Sequence, residues 1–181
     1  MDPARGLTVR LASATHSGRP LLRELVAELA GVDAGSVRIE ARCPDCGGPH
    51  GRPVVMAPDA ARRIHVSLSH VGGTVVAVAS ADRTVGVDAE PADALADRSR
   101  AAGIRNALGR TDGDPLLLWT AVEAVLKADG RGLRVDPRTV SLGPGRDGAL
   151  FEAVVPGDPR HYGVREVDLG SGLRVSVARE L

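Results

Sequence analysis

The sequence predicts an α+β protein in which small antiparallel sheets pack against a few helices. Short segments with alternating apolar residues recur along the chain and are separated by turns containing Gly or Pro, a pattern typical of antiparallel strands. Other segments carry their apolar residues at helical spacing. The order of strand, helix, strand and hairpin occurs in both halves, although no sequence repeat is visible, and this order points to a duplicated architecture.

The predicted strands are short. In the first of them Leu7, Val9 and Leu11 alternate with polar residues, and Gly72-Gly73 predicts a tight hairpin further along the chain. A turn-rich stretch over residues 43–53 separates two of the strands. The full set comprises Leu7–Ser13, Ser36–Ala41, His65–His70, Thr74–Ser80, Val85–Glu90, Thr139–Leu142, Leu150–Val154, Tyr162–Val167 and Leu173–Ala178.

Three helices are predicted between these strands. The first covers Gly18–Ala30, with Gly31 at its end. Pro91–Arg110 is rich in Ala and Arg and predicts the second. Asp114-Pro115 places an N-capping carboxylate before a proline at the first helical position, so the third helix begins there and ends at Gly130.

The composition is that of a globular protein. The chain has 181 residues, of which 43% are hydrophobic and 25% charged, and its 23 basic residues balance 23 acidic ones. A net charge of zero gives no field that would attract nucleic acid or an anionic membrane. Of the basic residues 22 are Arg and only Lys127 is Lys. Composition alone favours chance survival of this lysine at an indifferent surface position.

The sequence also indicates a compartment. No segment approaches the roughly 18 consecutive apolar residues of a membrane span, and the first residues lack an apolar signal core. Two cysteines do not form a disulfide framework. We therefore expect a cytoplasmic monomer with no membrane partner.

Two carboxylates lie close together on the strand Val85–Glu90. Because strand side chains alternate, Val85 and Val87 would face the core, whereas Asp88 and Glu90 would share the other face. Neighbouring carboxylates with oxygen-only ligation suit Mg²⁺. A solvated polar edge explains the same pattern equally well.

The third helix carries two stripes. Trp119, Glu123 and Lys127 follow one another at four-residue spacing, beside a buried stripe. Glu before Lys at this spacing is also the commonest surface pair on helices. A third carboxylate and an ammonium would complete a site for a divalent metal and phosphate. The buried stripe comprises Leu118, Val122, Val125 and Leu126.

Ser69-His70 ends a predicted strand just before Gly72-Gly73. A hydroxyl, an imidazole and exposed amides at a glycine turn suit an anion. A serine nucleophile with a histidine base is the alternative, but adjacent strand side chains point to opposite faces. A histidine that merely closes a hairpin is the structural interpretation.

Cys43 and Cys46, with His50 four residues on, have zinc-knuckle spacing. A second Cys/His pair is missing, although Asp45 or His65 could contribute. We favour a reduced structural loop over zinc here, and zinc over a thioredoxin-like redox role.

Four motifs together resemble the 4′-phosphopantetheinyl transferases, in particular the larger pseudo-dimeric type that activates surfactin synthetase. They occur in the order and spacing of that family, and the resemblance covers nearly the whole chain. The motifs are Gly51-Arg52-Pro53, Leu68-Ser69-His70, Gly86-Val87-Asp88-Ala89-Glu90, and Trp119 with Glu123 and Lys127 followed by Gly130-Arg131-Gly132-Leu133.

The resemblance implies a fold and an activity. The fold would be two similar α+β halves related by a pseudo-twofold axis, an N-terminal half over residues 1–83 and a C-terminal half over 84–181, with coenzyme A between them. The enzyme would transfer the phosphopantetheine arm of coenzyme A to a serine of an acyl or peptidyl carrier protein and release adenosine 3′,5′-bisphosphate. Carrier activation of this kind serves secondary-metabolite assembly lines.

The resemblance also implies roles for residues. Asp88, Glu90 and Glu123 match the Mg²⁺ ligands, and Lys127 matches the lysine at the coenzyme A pyrophosphate. Glu123, or a water bound to the metal, would take the proton of the carrier serine, and Lys127 would offset charge on the leaving phosphate. The remaining coenzyme A contacts would be Arg52 at the 3′-phosphate and Ser69 and His70 at other phosphates.

Two departures from the family pattern support an alternative. The chain reaches its first helix after few residues, with only Arg10 and Arg19 nearby, and the connection from Glu90 to Trp119 is short. A catalytically weak homologue that binds coenzyme A or a carrier protein without turnover is therefore the second hypothesis.

Surface charge bears on partners. A basic face formed by Arg98, Arg100, Arg105 and Arg110 would meet an acidic carrier protein, or would simply be solvated. A zinc-knuckle adapter for nucleic acid is a third hypothesis. Zero net charge and 2% aromatic residues argue against it, because such modules use basic grooves and stacking rings.

Overall fold

The computed structural model describes residues 6–13, 18–41, 43, 45–110 and 112–181. The chain divides into two compact units, Met1–Val85 and Gly86–Leu181. Each unit has its own apolar core, and each core lies between one sheet and the helices that follow the first strand of that sheet.

The described residues of the first unit form five strands and one α-helix. In chain order they are β1 (Leu7–Ser13), α1 (Arg19–Ala30), β2 (Arg38–Ala41), β3 (Pro53–Ala57), β4 (His65–Val71) and β5 (Thr74–Ser80). The strands form one sheet in the order β1-β5-β4-β3-β2. Leu22, Leu25 and Val26 of α1 are fully buried in the core beneath this sheet, which explains the helical spacing of the apolar residues.

In the second unit, the part of the chain that the structure describes forms five strands and two α-helices. They are β6 (Val85–Pro91), α2 (Arg98–Leu108), α3 (Pro115–Asp129), β7 (Ser141–Pro144), β8 (Phe151–Val154), β9 (His161–Glu166) and β10 (Leu173–Glu180). The sheet has the order β6-β10-β9-β8-β7. Val122 and Val125 of α3 pack in the core with Tyr162 of β9. The hydroxyls of Thr120 and Ser176 share a buried hydrogen bond of 2.8 Å between α3 and β10.

The two sheets have the same topology. In each one, the first strand of the unit pairs with the last, and the remaining strands follow in reverse chain order. A helical segment follows the first strand in both units. The prediction of an α+β protein with antiparallel sheets is confirmed, and the order of elements is duplicated at the level of topology.

Several predicted elements agree with the structure. The strand Leu7–Ser13 has the predicted bounds, α1 ends at Gly31, whose φ is 66°, and α3 begins after Asp114 and ends before Gly130. Gly72, with a φ of 54°, lies in the turn between β4 and β5, where two glycines predicted a hairpin.

Other predictions need correction. β3 lies where no strand was predicted, because the turn-rich stretch 43–53 hid its start and only four residues of the strand follow its proline. Residue 44 of that stretch lies outside the described residues. The predicted helix Pro91–Arg110 is wrong over its first seven residues, where β6 ends and a 3₁₀ turn follows. α2 begins only after Asp97, whose side chain accepts a hydrogen bond from the Arg100 amide.

In the part of the chain that the structure describes, no helix has both the length and the apolar character that crossing a membrane requires.

Candidate functional site

The acidic residues of β6 lie on a buried strand. Val85 and Val87 are fully buried, as the alternation predicted. The carboxylates on the other face are also largely removed from water, because the Asp88 side chain is 8% exposed and the Glu90 side chain 12%. The alternative of a solvated polar edge is therefore wrong. Carboxylates at such positions need positive partners.

Capping residues lie at both ends of α3. The Asp114 Oδ1 atom accepts hydrogen bonds from the amides of Leu116 at 2.9 Å and Leu117 at 3.4 Å. Pro115 occupies the first turn, and Gly130 ends the helix in a left-handed conformation with a φ of 94°. These caps set where α3 begins and ends.

Gly86 allows α3 to lie directly against β6. A Cβ atom at this position would stand 2.0 Å from the carbonyl oxygen of Ala124 and 2.5 Å from the amide nitrogen of Ala128. No residue with a side chain fits that gap. The close approach brings the stripe with Glu123 and Lys127 next to the carboxylates of β6.

Lys127 binds β6 and not its helical neighbour. Its Nζ atom donates to Asp88 Oδ1 at 2.7 Å and to the carbonyl oxygen of Val87 at 3.0 Å. The side chain is 28% exposed. The single lysine of the chain is therefore held in place by a largely buried carboxylate, and the interpretation of an indifferent surface position is wrong.

Glu123 belongs to the same electrostatic cluster. Burial raises the pKa of the Glu123 carboxyl above its ordinary value, and the negative charges of Asp88 and Glu90 raise it further, while Lys127 opposes them. Trp119 of the same stripe is partly buried against the core of the second unit. Three carboxylates thus act on one another around one ammonium group.

Arg100 of α2 also belongs to this cluster, although the sequence did not indicate it. Its guanidinium forms an ion pair with Glu90, and the partners are ten residues apart across a strand end and a 3₁₀ turn. The basic face expected from Arg98, Arg100, Arg105 and Arg110 needs correction for this reason. Arg110 also turns inward, since its Nη2 atom donates to the carbonyl oxygen of Val140 at 2.7 Å.

The residues expected at the coenzyme A phosphates lie in the first unit. Ser69 and His70 are neighbours near the end of β4, where Ser69 is buried and His70 is exposed. Their side chains point to opposite faces of the sheet, which does not favour the serine–histidine nucleophile. Arg52 is partly exposed in the bend directly before β3.

The potential metal ligands fall into two sets. In the part of the chain described, the donor atoms of Cys43, Cys46 and His50 lie within 4.8 Å of one another. Among the described residues the three carboxylates do not form such a group, and two of them are paired with Lys127 and Arg100. Their chemistry nevertheless fits Mg²⁺, since the donors are hard oxygens and their mutual repulsion would be relieved by a dication.

The loop with the cysteines joins β2 to β3. Cys46 Sγ lies 3.0 Å from His50 Nε2, and both cysteines are free thiols. The backbone amides of Cys46 and, next in effect, Asp45 lower the pKa of the Cys43 thiol by hydrogen bonding to its sulfur. A cleft of about 370 Å³ borders this loop. It is lined by Arg19, Glu40, Ala41, Gly47 and Pro49.

Comparison of the chain with protein-family models and with curated proteins gave no match.

Proposed function

We propose that the protein is a 4′-phosphopantetheinyl transferase that moves the phosphopantetheine arm of coenzyme A to a serine of an acyl or peptidyl carrier protein. The observation that carries the proposal is the packing of α3 on β6. Gly86 lets the helix approach until Lys127 binds Asp88, with Glu123 in the same charge cluster. The motif residues Glu123 and Lys127 therefore lie beside the motif residues of β6.

The fold agrees with this proposal. A pseudo-dimeric transferase consists of two similar halves, and both units here have the same strand order. We assign Arg52, Ser69 and His70 of the first unit to the phosphates of coenzyme A on the strength of the four-motif resemblance.

The reaction is a phosphoryl-type transfer, which depends on positioning and on neutralising charge. The carrier serine oxygen forms a bond to the phosphorus that bears the pantetheine arm. The bond between that phosphorus and the bridging oxygen breaks, and adenosine 3′,5′-bisphosphate leaves with the electron pair. The serine proton must pass to a base.

The residues of the chain supply these functions. Glu123, partly buried and surrounded by other carboxylates, is the base that we assign to the serine proton. Lys127 places an ammonium group at the site, where it offsets the charge that grows on the leaving phosphate. Unlike arginine, a lysine can also give up its proton.

Asp88, Glu90 and Glu123 are the residues that would hold magnesium. When bound, the ion would neutralise the pyrophosphate and polarise the phosphorus under attack. Magnesium could bind only after Lys127 and Arg100 release Asp88 and Glu90. Both are long, partly exposed side chains whose charged ends can move into water.

Incubation with coenzyme A, MgCl₂ and a panel of apo acyl and peptidyl carrier proteins tests the proposal. Intact-mass measurement should show the gain of one phosphopantetheine on at least one carrier, and replacing its acceptor serine by alanine should abolish the gain. Coenzyme A binding with no gain on any carrier would favour the alternative of a weak homologue without turnover.

A further inference from the structure

The loop between β2 and β3 contains a side-chain cluster that the proposed transfer does not use. Cys43 and Cys46 are separated by two residues, and His50 follows four residues later. The loop is a hairpin connection, because Ala41 of β2 pairs with Pro53 of β3 at its base. The three side chains therefore come from one short, closed segment.

The donor atoms are spaced for one shared metal ion. All three lie within 4.8 Å of one another, and Cys46 Sγ and His50 Nε2 are 3.0 Å apart. In a tetrahedral zinc site the Zn–S bond is about 2.3 Å and the Zn–N bond about 2.0 Å, so any two ligand atoms lie about 3.5–3.8 Å apart. The Cys46–His50 distance of 3.0 Å is slightly below this spacing, so binding requires only a small separation of these two side chains.

Polar groups of the loop lie close to both sulfur atoms. The Gly48 amide donates to Cys46 Sγ at 3.4 Å, and Cys43 Sγ lies 3.8 Å from Asp45 Oδ2. Amide donors stabilise thiolates, which are the form that binds metal. Bonds of 3.0 Å from the Cys43 amide to the Gly48 carbonyl and of 2.8 Å from the Gly47 amide to the Cys43 carbonyl hold the turn closed.

The glycines of the loop leave room for this arrangement. Gly47 has a φ of 70°, which side chains rarely adopt. A Cβ atom on Gly48 would lie 3.1 Å from the His50 ring and 3.2 Å from Cys46 Sγ. The backbone thus turns tightly around the three donors and keeps the space between them clear.

We propose that Cys43, Cys46 and His50 bind one zinc ion, with a water molecule in the fourth position. Two thiols lose their protons to solvent and the imidazole binds neutral, so the ion and its ligands carry no net charge. Two sulfur donors and an imidazole favour zinc over magnesium. The site uses none of the carboxylates of the second unit, and the proposal does not depend on the proposed transfer.

The ion would fix one wall of the cleft beside the loop. Gly47 and Pro49 line that cleft together with Arg19, whose Nη2 atom donates to the Pro49 carbonyl at 3.4 Å. Zinc would cross-link Cys43, Cys46 and His50 within the eleven-residue connection between Ala41 and Pro53, and such a cross-link reduces the conformational freedom of the loop.

Metal content and cobalt substitution test this proposal. The full chain, kept reduced, supplied with zinc and then dialysed, should retain one zinc ion, and Co²⁺ added to the metal-free protein should give thiolate-to-cobalt charge-transfer absorption. Cys46→Ser and His50→Ala should lose both signals. His161→Ala is the matched control, because that imidazole is exposed and bonded to Glu152.

A second measurement uses the wild-type chain and does not depend on folding of the variants. Titration with a mercurial should release the zinc as the two thiols react. A metallochromic dye measures the released zinc. Absence of both retained zinc and the cobalt band in the wild type would overturn the proposal, as would zinc retention unchanged in Cys46→Ser. Carrier-modification activity is scored separately, so failure of the zinc site and failure of the proposed transferase remain distinguishable.

Discussion

Lys127 is the residue on which the proposed transfer chemistry depends most. It is the only lysine among 23 basic residues, and it is bound between Asp88 and the Val87 carbonyl. Arginine replaces lysine everywhere else in this chain. The contacts suit lysine, because one compact ammonium nitrogen reaches both acceptors, whereas a guanidinium is planar and spreads its donors over three nitrogens.

Lys127→Arg should therefore lower the rate of carrier modification by about 10²-fold or more, as expected for the loss of a group positioned on transferring phosphate. Single-turnover measurement of holo-carrier by mass spectrometry checks this, with circular dichroism to verify folding. A variant with the parental rate would remove Lys127 from the mechanism.

Gly86 is the residue that makes the site geometrically possible. Gly86→Ala should destabilise the protein by about 1–3 kcal/mol, or prevent folding, because the new Cβ meets the α3 backbone, which cannot move aside alone. Denaturant-induced unfolding measures the effect.

The matched control is Gly103→Ala on α2. Gly103 is exposed, and a Cβ there meets nothing within 4 Å, so the substitution should be neutral or stabilise by up to about 1 kcal/mol. Equal effects of the two substitutions would show that the close approach of α3 to β6 is not required for stability.

At the scale of elements, an ionic network ties the end of α3 to β9. Asp129 is buried and accepts two hydrogen bonds of 2.8 Å from the Arg131 guanidinium. Arg160 donates to the Asp129 carbonyl oxygen at 3.2 Å and binds Asp158 at 2.8 Å, and Tyr162 donates to the Asp158 carboxylate at 2.5 Å. This network anchors the helix that carries Glu123 and Lys127.

The network predicts a pH dependence of stability. Burial alone would raise the pKa of Asp158, but hydrogen bonds from Arg160 and Tyr162 hold it well below its ordinary value. A depressed pKa in the folded state stabilises the protein above the ordinary value, about 4, and that stability is lost as the pH falls below it. The free energy of unfolding should therefore decrease with acidification below about pH 4.

Asp158→Asn should flatten that decrease and lower stability at neutral pH by about 1–3 kcal/mol, since charged partners lose a buried acceptor. Unfolding curves at several pH values measure both effects. Asp59→Asn, at a side chain that is 90% exposed, is the control. An unchanged slope in Asp158→Asn would assign the acid sensitivity to other carboxylates.

Predictability from sequence differs between elements for physical reasons. The bounds of α3 follow from local chemistry, an Asp cap with a proline and a closing glycine, and these act whatever the rest of the fold does. β3 lacks such a signal, because only Val55 of its five residues is buried and its pairing with β2 and β4 is set by tertiary contacts. The seven residues before α2 behave similarly, since their position depends on β6 and on Asp97.

The candidate site shows the same division. Asp88, Glu90, Glu123 and Lys127 could be picked out because they recur at the spacing of one strand face and one helix stripe. Arg100 could not, because no periodicity relates it to Glu90. That Lys127 would bind Asp88 instead of Glu123 also required the crossing of α3 over Gly86, which is a property of packing.

At the scale of the whole molecule, the candidate residues are divided between two units with the same strand order. The first unit carries Arg52, Ser69 and His70 and the proposed zinc loop, whereas the second carries the three carboxylates and Lys127. The net charge of zero is the sum over the whole chain and does not describe the local distribution of charge. Locally, carboxylates and cations are concentrated in one cluster on β6, α2 and α3, which suits a ligand that is recognised by its phosphates.

The most direct test of the proposed function compares Glu123→Gln with the parent in a magnesium-dependent transfer assay. Glu24→Gln is the control, because Glu24 is an exposed glutamate of α1. With coenzyme A and an apo carrier, the parent and the control should convert the carrier to its holo mass, a chelator should stop the reaction and added Mg²⁺ should restore it. Glu123→Gln should be slower by about 10²–10⁴-fold. Conversion by Glu123→Gln at the parental rate, or no conversion of any carrier by the folded parent with Mg²⁺ present, would contradict the proposal.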